Sequence, residues 1–133
     1  MAVAGGVMEF EIGSDAESRI VTCTASGELD LGEGARMARE ARKRSHELGY
    51  GLLYDVRAVS VKASLVDAYD FPRRIDELYE KPEHRSARAA ILFEKDDAFW
   101  RFFETVVRNL RLMVRIFQDQ QEALRWLRDP ERR

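Results

Sequence analysis

Residues 7–13, VMEFEIG, alternate apolar and polar positions, and so do residues 19–27, RIVTCTASG, with the polar stretch SDAES between them. Alternation with a period of two places one row of apolar side chains on a single face, so these segments predict two strands of a β-hairpin. The pattern then changes period. In GARMAREARKRSHELGY, residues 34–50, Ala35, Ala38, Ala41, Ser45 and Leu48 recur at helical spacing with charges opposite, and Gly49 stands where a helix would stop.

Three short apolar runs follow, GLLYDV at 51–56, ARAAILFE at 87–94 and LMVRIFQ at 112–118, each succeeded by a helical pattern. Between residues 64 and 81 that pattern is irregular, because Pro72 lacks a backbone donor and disfavours helical geometry at Phe71. In DAFWRFFETVVRNL one arc of the helical wheel holds Phe99, Trp100, Phe102, Phe103, Val106, Val107 and Leu110, with Trp100 and Phe102 at its margins. A last short helix, QQEALRWL, closes the pattern.

Strands joined through helices pair in parallel, whereas strands joined by a hairpin pair antiparallel. The expected fold is therefore α/β, a five-stranded mixed sheet in the order β-β-α-β-α-β-α-β-α, with the N-terminal strand antiparallel at an edge. One domain spans residues 7–128, after a disordered start at 1–6 and before a solvated tail at 129–133. Arg115 alternates with Met113 and Phe117, so the last strand belongs at an edge or on a half-exposed face. A second copy of the chain is a candidate to cover that face as a homodimer.

Three helix starts carry a short polar residue followed three positions later by a carboxylate: Asp30 with Glu33, Ser64 with Asp67, and Asp119 with Glu122. Such pairs satisfy backbone donors that the first turn of a helix leaves unpaired. By this pattern Ser64 is an N-cap. A phosphate on Ser64, or less favourably on Ser60, would also be stabilised by the helix dipole and by Arg57 and Lys62 nearby. Asp55, Arg57, Ser60, Lys62 and Ser64 thus form the candidate modification or partner surface. A small-molecule pocket is the other candidate, between the break at Phe71 and Pro72 and the aromatic residues Trp100 and Phe102, at the strand ends where α/β folds bind ligands.

Composition narrows the function. The 133 residues carry 22 Lys and Arg against 24 Asp and Glu, intermixed, which supplies no basic field for nucleic acid. Cys23 is the only cysteine; it shares a strand face with Val21 and Ala25, so a buried inert thiol is expected, with no disulfide or CxxC pair. No run approaches the roughly 20 apolar residues that span a bilayer, and the N-terminus lacks the basic start of a secretion signal, which predicts a cytoplasmic protein. Asp96 and Asp97 complement a helix N-terminus, and neither His46 nor His84 is tied to Cys23 by spacing. The residues assemble no catalytic constellation, metal site or cofactor motif.

The stretches SGELDLGEGA and LLYDVRAVSVKAS resemble the corresponding segments of STAS domains of the anti-sigma factor antagonist type, and residues 100–127 resemble the SpoIIAA-like branch grouped with STAS and SEC14 domains. The likeness covers nearly the whole chain. It implies a SpoIIAA-like fold and a non-enzymatic regulatory module that binds a protein partner, or, through the SEC14 grouping, a small apolar lipid-like ligand. Where that family carries Asp-Ser-Ser-Gly with a phosphorylated serine, this chain has Ala63, Ser64, Leu65 and Val66. Leu65 falls on the phosphoacceptor position, and the phosphoserine switch is not carried over.

Overall fold

The computed structural model describes residues 7–61, 88–94, 98–109 and 113–128. Strands β1 (Glu9–Asp15), β2 (Ile20–Glu28), β3 (Gly51–Ser60), β4 (Ala89–Leu92) and β5 (Val114–Phe117) form one sheet in the order β1-β2-β3-β4-β5. β1 pairs antiparallel with β2, and every later pair is parallel. This is the expected mixed α/β sheet with the first strand antiparallel at an edge. The described helices are α1 (Leu31–Leu48), α2 (Ala98–Asn109) and α3 (Gln120–Arg128). The helix expected over residues 64–81, the termini 1–6 and 129–133, and Lys62, Ser64, Phe71, Pro72, His84, Asp96 and Asp97 lie outside the described residues.

Successive strands step across the sheet in one direction, so helices crossing over with the usual hand fall on one face. Accordingly α1 contributes Met37, Ala38 and Ala41, and α2 contributes Phe99, Trp100 and Phe103, to one core built on Val21, Cys23, Leu52, Tyr54, Ile91 and Ile116. α3 turns to the other face, where Ala123 and Trp126 cover Ile20, Leu53, Ala90 and Leu92. The central strands β3 and β4 are thereby buried on both sides, as their unbroken apolar runs require.

β3 continues four residues beyond the apolar run that predicts it. The pairing of β2 with β3 shifts register between Thr24 and Ser26 and resumes, with Ser26, Gly27 and Glu28 opposite Ala58, Val59 and Ser60. The Leu29 amide then donates to the Ser60 carbonyl at 2.8 Å. β4 and β5 are shorter than their apolar runs, because only Ala89–Leu92 and Val114–Phe117 find each other as ladder partners.

Asp30 caps α1, its Oδ1 accepting from the Gly32 and Glu33 amides at 2.8 and 3.2 Å. Glu33 does not close the expected reciprocal box. Its carboxylate instead takes the Arg36 guanidinium through two bonds, at 3.0 and 2.9 Å, and Arg36 also reaches Glu40. At the other end Gly49 adopts φ 70°, left-handed backbone that glycine adopts without a Cβ penalty. The Gly49 amide donates to the His46 carbonyl and the Tyr50 amide to the Ser45 carbonyl. This turn leaves Leu48, expected on the buried stripe, 39 % exposed. Tyr50 packs against the core in its place, and the buried stripe shifts to Gly34, Met37, Ala38, Ala41, Arg42 and Ser45.

β5 is the second sheet edge, and Arg115 is exposed on it, its guanidinium 5.6 Å from the Phe117 ring centroid. Part of this edge is already blocked, since the Ile116 amide donates to Glu104 Oε2 of α2 at 3.0 Å. A blocked amide is not available for pairing with another chain. Glu104→Ala is expected to cost about 1–3 kcal/mol in urea unfolding by stranding that donor, whereas Glu104→Gln, which keeps an acceptor oxygen, retains most of the stability. Equal losses in the two variants would refute this role.

Candidate functional site

β3 carries Asp55, Arg57 and Ser60 toward the C-terminal edge of the sheet, where β4 leaves into Phe93 and Glu94 and α2 begins two residues before Trp100. A recess of about 370 Å³ opens there. Val56, Phe93 and Trp100 supply its apolar lining, the β3 segment from Arg57 to Val61 walls it, and Glu94 joins the polar lining. The three apolar residues are buried, at 5, 1 and 6 % exposure, and Trp100 is fixed edge-on against Phe99 and Phe103 at centroid distances of 5.0 and 5.6 Å.

Arg57 and Asp55 form a two-bond ion pair, Nε to Oδ1 at 3.0 Å and Nη2 to Oδ2 at 2.8 Å. The side chains face the same side because they stand two apart on one strand. Hydrogen bonding from Arg57 holds the Asp55 carboxyl below its ordinary range, and the same bond, with Asp55's charge, raises Arg57 further. Glu94 adds to the negative field around Arg57. The Arg57 side chain is 46 % exposed, so its guanidinium is held in orientation while the residue remains open to a partner.

Of the residues singled out from the sequence, Arg57, Ser60 and Trp100 line this recess, and Asp55 adjoins it through Arg57. Phe102 does not line it; at 36 % exposure it stands on the outer flank of α2 while Phe99, Phe103 and Val106 face inward. Ser64, Lys62, Phe71 and Pro72 lie outside the described residues. Sequence reading missed Phe93, Glu94, Val59 and Val61. The β-branched alternation of Val59 and Val61 around Ser60 was a legible sign that β3 continues, whereas Phe93 and Glu94 enter only because β4 pairs beside β3.

Cys23 is fully buried, and desolvation, with Glu40 adding to it, pushes its thiol up to about 12. A thiol held protonated is a poor nucleophile. Among the described residues, no group of three His, Cys, Asp or Glu side chains is arranged to hold a metal ion, and no helix is long and apolar enough to cross a membrane.

No protein-family model matches the sequence, and no curated protein matches it. Solved structures do. The crystal structure of an anti-sigma factor antagonist from Mycobacterium paratuberculosis is similar with a TM-score of 0.58 at 14 % identity, covering 92 % of this chain and 96 % of that one. An uncharacterised protein with a SpoIIAA-like fold from Shewanella loihica is similar at a TM-score of 0.49 and 17 % identity, over 95 % of this chain and 99 % of that one. The first likeness shows the fold: this chain folds as that anti-sigma factor antagonist does.

Proposed function

We propose that this domain is a regulatory protein-interaction module with no catalysis of its own, and that it meets its partner at the C-terminal edge of the sheet, over the recess bounded by Arg57, Ser60 and Glu94. The observation that carries this is the likeness to an anti-sigma factor antagonist along almost the full length of both chains. The exposed ion pair of Arg57 with Asp55 supports the location, since an oriented guanidinium is well suited to recognising a carboxylate or an acidic segment. The module works without the phosphoserine switch of the anti-sigma factor antagonist family it resembles, because Leu65 stands at that position. It acts in the cytoplasm, which agrees with a single, buried cysteine.

Affinity capture from the native lysate, compared between the parent and an Arg57→Glu, Ser60→Asp double variant of matched melting temperature, tests this. A protein retained by the parent is expected to lose at least about tenfold in affinity for the variant, equivalent to about 1.4 kcal/mol. A captured protein that binds both equally would place the partner surface elsewhere.

A second function is favoured by one observation. The recess has an apolar lining of Val56, Phe93 and Trp100 and a volume of about 370 Å³, within the roughly 300–1,000 Å³ of small-molecule sites. A small apolar, lipid-like ligand would fill it. Native mass spectrometry of freshly purified protein should then show a bound species that Val59→Trp, which narrows the recess, excludes.

A further inference from the structure

α3 covers only part of the sheet face on which it lies. Its buried residues Ala123 and Trp126 pack with Leu53, Ala90 and Leu92, and with Ile20 at the very start of β2. Beyond Ile20, the same face of β1 and β2 has no helix above it among the described residues. It presents Glu9, Glu11, Thr24 and Ser26 exposed and Thr22 half-buried. Register gathers these into one patch, with Glu9 opposite Ser26, Glu11 opposite Thr24 and Gly13 opposite Thr22. The side chains are short in the middle, and a Cβ at Gly13 would meet nothing within 4 Å. The face is thus a step: a flat shelf on two strands beside a ridge one helix high, about 10 Å.

The two levels of the step carry opposite charge. Arg125 and Arg128 are exposed in the last turn of α3, with Arg115 exposed on β5 beside them, so that end of the ridge is basic, while the first turn carries the exposed Glu122. Among the described residues, no carboxylate pairs with these three arginines and no cation pairs with Glu9 or Glu11. Arg36 is matched by Glu33 and Glu40, and Arg57 by Asp55. A basic ridge and an acidic shelf lying side by side on one face make that face complementary to itself. Only a twofold operation brings the ridge of one molecule onto the shelf of another and the reverse at once.

We propose that two copies of this chain associate face to face about a twofold axis, α3 of each seated on the β1–β2 shelf of the other, with Arg125 and Arg128 meeting Glu9 and Glu11. The second copy is the occupant because both complementary halves are present on one molecule, which a basic or an acidic foreign protein would satisfy only by half. α3 has nine residues, about 13 Å of helix, so the two contacts together lie near the lower limit of specific interfaces, about 1,000 Å². Association is therefore reversible and weakened by salt. The shelf is on the opposite face of the sheet from the α1–α2 core that holds Phe93 and Trp100, so dimerisation leaves the apolar lining of the recess untouched.

Sedimentation equilibrium of the intact chain tests this, at low ionic strength and in about 1 M salt. A dimer is expected at low salt and a shift toward monomer at high salt. The variants Glu9→Lys with Glu11→Lys, and Arg125→Glu with Arg128→Glu, change exposed positions only; each should be folded by circular dichroism and monomeric. Mixed in equal amounts, they should restore a one-to-one dimer, because the reversed shelf of the first then meets the reversed ridge of the second. A parent that stays monomeric at low salt, a dimer that either variant leaves intact, or a mixture that stays monomeric would each overturn the proposal.

Discussion

Trp126→Ala is expected to remove about 3–5 kcal/mol of stability, the usual cost of deleting a buried aromatic side chain. This is a large share of the roughly 5–15 kcal/mol that a domain of this size holds in total. The physical reason is how little else secures α3. Only Ala123 and Trp126 of the helix are buried, with Leu124 and Leu127 at the flanks. The indole packs on Phe117 at a centroid distance of 5.8 Å, and the guanidiniums of Arg88 and Arg115 lie 5.3 and 5.7 Å from its ring centroid. Arg88 also donates to the Trp126 carbonyl at 2.7 Å, tying the helix end to the entry of β4. Without the indole, the apolar face of Leu53, Ala90 and Leu92 meets water. Urea unfolding of Trp126→Ala and Trp126→Phe checks this: Phe should keep more than half of the lost stability, and a cost below about 1 kcal/mol for Ala would show that α3 contributes little to the core.

Stability is also expected to fall steeply above pH 9, by several kcal/mol before pH 12. Cys23 and Tyr54 are paired across β2 and β3 and point into the core under α1. Burial raises the Cys23 thiol from 9.0 to about 12, and burial raises the Tyr54 hydroxyl from 10.0 to about 12, against the opposing pull of Arg42. Among the described residues the Tyr54 hydroxyl makes no hydrogen bond of ordinary geometry, and the buried Arg42 acts on it mainly through charge. The unfolded chain releases these protons from about pH 9 and 10, while the folded chain keeps them to about 12. In that window the folded state binds more protons, and each group lowers stability by up to about 1.4 kcal/mol per pH unit. Below pH 9 their contribution is fully present. Denaturation midpoints from about pH 8 to 11 should drop in the parent and flatten in a Cys23→Ala, Tyr54→Phe variant; parallel slopes would exclude these two groups as the cause. Tyr54→Phe alone, at neutral pH, is expected to be neutral or slightly stabilising, since it deletes a buried hydroxyl with no well-formed hydrogen bond among the described residues.

Local pattern made the elements legible. The two alternating segments became β1 and β2, and the Asp30 cap and the Gly49 stop bounded α1 within the residues that predicted it. The burial of Cys23 followed from its sharing a strand face with Val21 and Ala25. The parallel pairing of β2 with β3 followed from the helix between them. These features depend on the chain a few residues to either side, which is the range over which periodicity and capping act.

What the amino-acid sequence determined by itself was thus the five strands, the described helices and their class of fold. The tertiary structure alone decided which distant residues meet. Phe93 and Glu94 join Ser60 because β4 pairs beside β3, Glu104 reaches Ile116 because α2 lies against the edge strand, and Trp126 lies between Arg88 and Arg115 because α3 crosses to the opposite face. Each of these contacts is set by strand order, register and the face a helix chooses. Those are properties of the assembled sheet, fixed by how all the apolar surfaces bury one another at once, and no window along the chain contains them.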